Sequence, residues 1–333
     1  MNAHYPPPEV AVIATVYNEG ANIDYLMQSL CAQTLPPSEV VIVDGGSADD
    51  TVARMQAYAD RLPLRVIVER GANISRGRNI ALAHTQAEII AITDAGVRLP
   101  DTWLEDITAP LRADPSLTVV GGFFRADPHT TFEAAMGATV LPLAHEVNPQ
   151  TFLPSSRSVA VRRSAARAVG GYPEWLDYCE DLIFDLRLKA TQPPFAFAPA
   201  ATVAFRPRGS LRAFWTQYYR YARGDGKADL WRKRHAIRYG VYLVALPLLL
   251  VGGAVVHPML WGLLAAGGLA YCWPAWRRLP VVMQHAPDRS AAAWAQAIAL
   301  VPIIRAVGDL AKMTGYPVGL WWRRQHRPPS WQL

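Results

Sequence analysis

Four acidic side chains stand next to apolar stretches of the sequence. Asp44 follows the apolar residues 40–43, Asp94 follows residues 89–93, and Glu180 and Asp181 precede an amphipathic segment. In a parallel α/β sheet, the carboxyl ends of the strands form the edge at which ligands bind. Acids placed there can converge on one ligand that carries phosphate or a metal ion.

The turn Asp94-Ala95-Gly96 is the first candidate binding element. A carboxylate at a strand end, beside a glycine that permits close backbone approach, can hold Mg²⁺ or Mn²⁺ against a diphosphate. The alternative is an ordinary turn, because aspartate and glycine are common turn residues. The weight of this motif therefore depends on its neighbours.

The other polar residues also have two interpretations. Asp44 can accept hydrogen bonds from a base or ribose, and Arg78 can reach base oxygens or neutralise phosphate, unless it belongs to an ordinary solvated helix start. Glu180 and Asp181 can supply a general base that takes a hydroxyl proton. As an isolated pair they are more typical of the charge pair at a helix N-terminus.

The elements that must position these residues alternate along the chain. Apolar β-branched runs predict strands over residues 9–16, 40–43, 64–68 and 88–93, and helical spacing predicts helices over 22–33 and 75–84. Such alternation favours an α/β fold with a mostly parallel sheet. From residue 121 onward we expect a more irregular half, with helices over 131–144 and 181–190 and strands over 152–162 and near 201–205.

The order and spacing of these motifs resemble the inverting family 2 glycosyltransferases of the GT-A fold, which is Rossmann-like. The matching elements are Thr15-Val-Tyr-Asn-Glu19, Val43-Asp-Gly-Gly-Ser47, Arg78-Asn79, Thr93-Asp-Ala-Gly96, Cys179-Glu-Asp181 and Gln217-Tyr-Tyr-Arg-Tyr221. The resemblance covers roughly residues 9–225. It implies a nucleotide-sugar donor, a divalent metal ion, Mg²⁺ or Mn²⁺, and inversion at the anomeric carbon by direct displacement.

The resemblance also assigns expected roles. Asp181 is the expected catalytic base, with Glu180 beside it, and Asp94 is the expected metal ligand. The donor-binding residues implied are Thr15, Asn18, Glu19, Asp44, Arg78 and Asp94. The expected interface between donor and acceptor consists of Gln217, Arg220 and Tyr221, where tyrosine replaces the tryptophan of the family's Q-x-x-R-W element and keeps an aromatic face.

Two departures from the family pattern concern the acids. Paired acids often follow the second strand, where this chain has Asp44-Gly45, and a D-x-D often binds the metal, where this chain has Asp94-Ala95-Gly96. The second metal-facing carboxylate is missing. Metal dependence is therefore open at this point.

The last third of the chain is unusually apolar. Charged residues make up 18% of the sequence, and residues 239–276 contain none of Asp, Glu, Lys or Arg. Because about 20 residues cross a bilayer, this run predicts two spans with a turn at His257-Pro258. A buried helical hairpin in a soluble core is the alternative. Basic residues at both flanks predict a cytoplasmic catalytic domain, and we expect residues 290–304 to form an interfacial or re-entrant helix rather than a third span.

These patterns divide the chain into five parts. We expect an N-terminal tail over 1–8, the GT-A domain over 9–225, a basic juxtamembrane linker over 226–238, a transmembrane helical hairpin over 239–276, and a membrane-associated helix with a basic tail over 277–333. The N-terminus has no signal-peptide pattern, and the three cysteines have no metal-ligand spacing. The net charge of +6 predicts attraction to lipid headgroups rather than to nucleic acid. The oligomeric state is open.

The sequence thus predicts a membrane-anchored inverting glycosyltransferase, hexosyltransferase-like, which modifies a lipid or lipid-linked acceptor at the cytoplasmic face. The alternative from another class is a non-catalytic, membrane-anchored protein that binds nucleotide sugars. Processive polymer synthesis is disfavoured because the apolar segments are few and short. A dinucleotide oxidoreductase is excluded because no G-x-G-x-x-G follows the first strand.

Overall fold

The computed structural model describes residues 9–331, so the predicted tail over 1–8 and the last two residues of the basic tail lie outside the described residues. The chain forms two compact units. The first comprises the described residues up to 125, residues 144–205 and the residues from 330 onward. The second comprises residues 126–143 and 206–329. The segment 126–143, expected inside the GT-A domain, therefore groups with the C-terminal helices.

One sheet organises the first unit. Its strands in the described residues are β1 (Val10–Val16), β2 (Glu39–Asp44), β3 (Leu64–Val68), β4 (Ile89–Ile92), β5 (Val97–Arg98), β6 (Val119–Ala126), β7 (Val159–Arg162) and β8 (Phe195–Phe205), in the order β3-β2-β1-β4-β7-β6-β8-β5. The first unit's helices are α1 (Ile23–Cys31), α2 (Thr51–Gln56), α3 (Ile74–Ala83), α4 (Trp103–Ala113), α6 (Arg163–Ala168) and α7 (Glu180–Thr191). The predicted α/β architecture is confirmed.

The strands predicted from apolar runs form the parallel half of the sheet. β1 pairs in parallel with β2 and β4, and β2 pairs in parallel with β3. Alternate side chains of β1 enter two different hydrophobic clusters, with Val12 and Ala14 in one and Ile13 in the other. Both faces of the strand are therefore buried, which explains why its sequence is continuously apolar.

The sheet is mixed and mostly parallel, as expected, and its second half adds antiparallel pairings. β7 pairs antiparallel with β4 and β6, and β5 pairs antiparallel with β8. Strand β6 is hidden in the sequence by Gly121 and Gly122, which are poor strand formers. A Cβ on Gly122 would lie 2.1 Å from Ser158 Oγ, so close packing requires the glycine.

The second unit is helical. Its helices are α5 (Thr131–Val140), α8 (Leu211–Ala228), α9 (Arg232–Gly240), α10 (Leu246–Val255), α11 (Met259–Met283) and α12 (Ala291–His326), and a π-helical turn over Val241–Ala245 joins α9 to α10. Helices α8 and α12 approach so closely that Cβ atoms on Gly315 and Gly319 would lie only 2.2 Å and 2.1 Å from backbone oxygens of α8. Small residues permit such backbone proximity.

Two described helices are long and apolar enough to cross a membrane: the continuous helix Arg232–Val255 and α12. Length and composition alone are weak evidence for a span. The chain turns between Val255 and Met259, where a turn near His257-Pro258 was expected. Helix α11, assigned by sequence to the second span, is not among the two. Residues 291–304 belong to one helix of 36 residues, with Ser290 as its N-cap.

Candidate active site

A buried arginine on α3, Arg78, holds two of the predicted acids. Its Nη2 donates to Asp94 Oδ1 at 2.8 Å, and its Nη1 donates to Glu180 Oε1 at 2.7 Å. The side chain is 2% exposed and lies 5.1 Å from the centroid of the Tyr172 ring. Burial opposes the charge, yet Tyr172, Asp94 and Glu180 raise the pKa of Arg78 above its ordinary value. Arg78 is therefore a permanent cation that fixes both carboxylates.

The first two turns of α7 present three acids in different environments. Burial and the neighbouring charge of Asp181 raise the pKa of Glu180 to about 7, although Arg78 acts in the opposite direction. Burial, followed by Asp181, raises the pKa of Asp185 well above its ordinary value. Asp181 itself is only partly buried and accepts a hydrogen bond from the Leu182 N–H at 2.8 Å. The most accessible of the three carboxylates, Asp181, thus adjoins two whose pKa values are raised.

Asp94 lies where β4 ends, with its side chain 30% exposed. Its Oδ1 accepts the hydrogen bond from Arg78, whereas its Oδ2 lies 3.9 Å from Arg157 Nε, beyond hydrogen-bond distance. The Arg157 guanidinium lies 4.5 Å from the Phe205 ring centroid and 5.6 Å from that of Phe124. One oxygen of Asp94 is therefore committed to the protein, and the other faces a cation held on aromatic rings.

The carboxylates available near Asp94 limit the kind of metal site that can form there. No group of three or more His, Cys, Asp or Glu residues in the part of the chain described here is arranged to hold a metal ion. A divalent ion can still be bound by one carboxylate together with substrate phosphates. Asp94 Oδ2 fits that role because it has no direct hydrogen bond from Arg157.

A cavity of about 210 Å³ lies at the carboxyl ends of β1 and β2, beside the start of α3. Its lining includes Thr15 and Glu19, two of the predicted donor-binding residues, together with the aromatic side chain of Tyr17. Gly77 also lines it, one residue before Arg78, and a Cβ there would lie 2.8 Å from Thr15 Cγ2. The position is that of nucleotide sites in open α/β sheets.

Asp44 is fully buried and orders the loop that follows β2. Its Oδ1 accepts hydrogen bonds at 2.8 Å from the N–H groups of Gly46 and Ser47, and its Oδ2 accepts one at 2.5 Å from Ser47 Oγ. Ser47 Oγ also accepts from the Asn18 N–H at 2.8 Å. Asp44 and Asn18 thus connect two loops, and direct contact of either residue with a nucleoside stays a prediction.

The three interface residues lie in the second unit, on α8. Gln217 Nε2 donates to the Tyr221 hydroxyl at 2.8 Å, and the Tyr221 ring meets the Tyr218 ring edge-on at 5.6 Å. Arg220 is exposed. The four acids and Arg78 belong to the first unit, so the structure gathers the donor-side residues in one unit and the Gln217-Tyr221 pair in the other.

Two residues of the site were not anticipated. Asp185 follows Asp181 by one helical turn, a spacing that places both on one face of α7 and that the sequence does show. Arg157 has no such signal, because its aromatic partners come from distant strands. Both were missed since their importance depends on burial and on contacts across the sheet.

The fold is the GT-A fold of glycosyltransferases. The mannosyltransferase PcManGT from Pyrobaculum calidifontis, in a structure with GDP-Man and Mn²⁺, matches 97% of this chain and 88% of its own chain with a TM-score of 0.55 and 20% identity. At this identity the likeness establishes the fold alone. The predicted GT-A class is confirmed.

The N-terminal half of the chain is similar to glycosyltransferase family 2. Residues 11–168 match the model described as glycosyl transferase family 2. The chain is 29% identical over 247 residues to the beta-monoglucosyldiacylglycerol synthase of Synechocystis sp., covering 68% of this chain and 50% of that protein. It is 29% identical over 126 residues to the validoxylamine A glucosyltransferase of Streptomyces hygroscopicus subsp. limoneus, covering 36% of this chain and 28% of that one. The chain thus spans half or less of these relatives.

Proposed function

We propose that this chain is a membrane-associated inverting glycosyltransferase that moves a sugar from a nucleotide-sugar donor to a lipid or lipid-linked acceptor. The observation that carries the proposal is that the Arg78 guanidinium pairs with two different carboxylates. It holds Asp94, at the end of β4, and Glu180, at the start of α7, in one site beside Asp181. A protein that only binds nucleotide sugars has no need of a carboxylate cluster with raised pKa values.

On the donor side, the cavity lined by Thr15 and Glu19 takes the nucleoside, and the diphosphate extends toward Asp94. Arg157, 3.9 Å from Asp94, adds positive charge on that side. A divalent ion bound by Asp94 and the donor phosphates would supply further charge to stabilise the leaving diphosphate. The GDP-Man and Mn²⁺ in the structure of the Pyrobaculum protein support both components.

On the acceptor side, Asp181 is the proposed general base. It takes the proton of the acceptor hydroxyl while that oxygen forms a bond to the anomeric carbon, and the bond from that carbon to the donor diphosphate breaks. Attack from the face opposite the leaving group inverts the anomeric configuration. Glu180 and Asp185 are positioning residues that hold Asp181 in an acidic, partly desolvated environment.

The acceptor is proposed to be a lipid because the second unit exposes an apolar surface. Along the helix Arg232–Val255, Leu243 is 64% exposed, Leu248 66% and Val255 76%. Contiguous exposed apolar surface of this kind indicates a membrane or protein contact. The similarity to a monoglucosyldiacylglycerol synthase supports a lipid acceptor. We further propose that the catalytic unit faces the cytoplasm, since Arg232, Lys233 and Arg234 precede the apolar segment.

The deciding experiment measures nucleoside diphosphate released by the purified full-length protein from a panel of UDP- and GDP-sugars. We expect release from at least one donor, stimulated by vesicles that contain a lipid with a free hydroxyl and slowed roughly 10²-fold or more in Asp181→Asn. Donor binding without release, whatever the acceptor, would identify a non-catalytic binding protein. Equal stimulation by a soluble sugar alcohol would reject the lipid acceptor, and the similarity to a validoxylamine A glucosyltransferase makes that control necessary.

A further inference from the structure

A cavity of about 480 Å³ lies among the helices of the second unit. Four basic side chains and one acidic side chain line it, namely Arg234, Arg238, Arg305, Lys312 and Asp309. The formal net charge of these five side chains is therefore +3. No part of the proposed transfer reaction uses this cavity.

Asp309 accounts for part of this charge. Its Oδ1 accepts from Arg238 Nε at 2.8 Å and lies 3.6 Å from Lys312 Nζ. Its Oδ2 accepts from the hydroxyls of Tyr242, at 3.3 Å, and Tyr271. One carboxylate that already receives these contacts neutralises a single positive charge, so the remaining excess has no counterpart among the side chains that line the cavity.

The excess of positive charge is also seen at a single atom of Arg305. Its guanidinium lies 4.0 Å from the centroid of the Tyr271 ring, and its Nε is buried with no hydrogen-bond partner among the described residues. A buried donor without an acceptor loses its hydration and regains nothing. Guanidinium groups match phosphate oxygens in geometry and charge. An anion with several oxygen acceptors would therefore satisfy this part of the cavity.

The cavity is also partly apolar. Ile237 and Val241 line it and are 57% and 49% exposed, and both belong to the apolar candidate span Arg232–Val255. A free phosphate or a nucleotide would use only the basic side chains. An amphiphile would use both surfaces, with its phosphate on the arginines and its hydrocarbon chains along Ile237 and Val241.

We infer that this cavity binds the phosphate group of an anionic lipid. Arg234 and Arg305 are the principal contacts, because Arg238 is already paired with Asp309. The cavity shares helix α8 with the Gln217-Tyr221 pair, since Tyr218 lines it and lies 5.0 Å from Lys312 Nζ. The inference stands apart from the transfer reaction, because lipid binding is measured without donor, acceptor or turnover.

The test uses the full-length protein in neutral detergent and a fluorescent phosphatidic acid as the probe. We expect saturable binding of phosphatidic acid, no saturable binding of the matching fluorescent diacylglycerol, and displacement by inorganic phosphate only at roughly 100-fold or greater excess over unlabelled phosphatidic acid. Equal potency of inorganic phosphate would assign the cavity to a free anion. Saturable binding of diacylglycerol would show that the phosphate is not recognised.

Variants then locate the site. Arg305→Gln and Arg234→Gln should each weaken phosphatidic acid binding roughly 10-fold, whereas Arg305→Lys should retain most of it. Arg234 is exposed, so its variant does not disturb the helix core. Arg277→Gln is the matched control, because Arg277 is exposed on α11 and does not line the cavity. Unchanged binding in Arg234→Gln, or an equal loss in Arg277→Gln, would overturn the inference.

Discussion

Arg78 and Glu180 are 102 positions apart in the sequence, yet their side chains form an ion pair of 2.7 Å that is nearly closed to solvent, with 2% and 7% exposure. The same guanidinium holds Asp94 at 2.8 Å. A single cation thus links the end of β4 to the start of α7. Asp94, proposed for donor binding, and Glu180, which adjoins the proposed base Asp181, depend on it for their positions.

The first prediction concerns this cation. Arg78→Gln leaves the buried Glu180 carboxylate and the partly exposed Asp94 carboxylate without their counter-charge, so the free energy of unfolding should fall by about 3–5 kcal/mol. Arg76→Gln is the matched control on the same helix, because Arg76 forms a half-exposed pair with Glu69 and should cost about 1 kcal/mol or less. Thermal unfolding of the purified protein measures both. Equal melting temperatures for the two variants would show that the Arg78 pairs are not stabilising.

The second prediction concerns Asp181. If Asp181 is the base, Asp181→Asn should bind donor normally and turn over roughly 10² times more slowly or worse. Donor affinity is measured by calorimetry and turnover by diphosphate release. Asp60→Asn, an exposed carboxylate on the first unit, serves as the control and should be unaffected. A parallel loss of donor affinity and turnover in Asp181→Asn would instead place this residue in the donor site.

The third prediction is a pH dependence. The pKa of Glu180 is raised to about 7, so Glu180 keeps its proton up to that pH and the acidic pair carries less negative charge below it. Loss of that proton adds a negative charge beside Asp181 and favours proton transfer from the acceptor hydroxyl, so kcat should rise as pH increases through about 7, with the apparent pKa belonging to the pair. In Glu180→Gln, which has no proton to lose, this rise should be absent. An identical pH profile in this variant would mean that Glu180 does not influence the base.

The fourth prediction concerns the ion. Because Asp94 is the single acid of its turn, chelation should weaken donor binding, and Asp94→Asn should have the same effect while its amide oxygen still accepts from Arg78. The two treatments should not add. Donor affinity is measured with and without chelator in both proteins. Full activity in chelator, with Asp94→Asn still impaired, would assign Asp94 to hydrogen bonding and leave charge neutralisation to Arg157.

The fifth prediction concerns topology. Two crossings in residues 239–276 require the turn at His257-Pro258 to face outward, since the flanking arginines are costly to translocate. In a protein without native cysteines, a cysteine at His257 should react with an impermeant thiol reagent on intact cells. Cysteines at Arg234 and Arg278 should react only after lysis. Outside labelling at Arg278 would contradict the hairpin and indicate a single crossing.

Helix α12 allows a further result in the same experiment. It is 36 residues long and includes residues 290–304 without a break, apart from the N-terminal cap at Ser290. Labelling at Arg327 from outside, with Arg278 protected, would make α12 a third span. Protection at both positions would agree with an interfacial helix.

The sequence by itself determined the order of the acids and the parallel half of the sheet. Continuous β-branched runs predict buried strands, and β1, β2 and β4 lie where such runs are, because a strand covered on both faces is mostly apolar. The edge strand β3 was also predicted, although its Arg65 is exposed. The resemblance to family 2 was carried by short motifs at the strand ends, and it is confirmed by the family match. The long apolar segment was also predicted from the sequence, because it is recognised by its composition alone.

Only the tertiary structure decided how these pieces act together. The two contacts of Arg78, the buried Asp185 and the cation of Arg157 beside Asp94 join residues from distant segments, and no local period records such contacts. Strand β6 was not predicted because Gly122 has a low strand propensity. The close approach to Ser158 requires a glycine at this position. The basic cavity around Arg305 likewise arises where separate helices meet, since charge balance inside a protein depends on which side chains share a space.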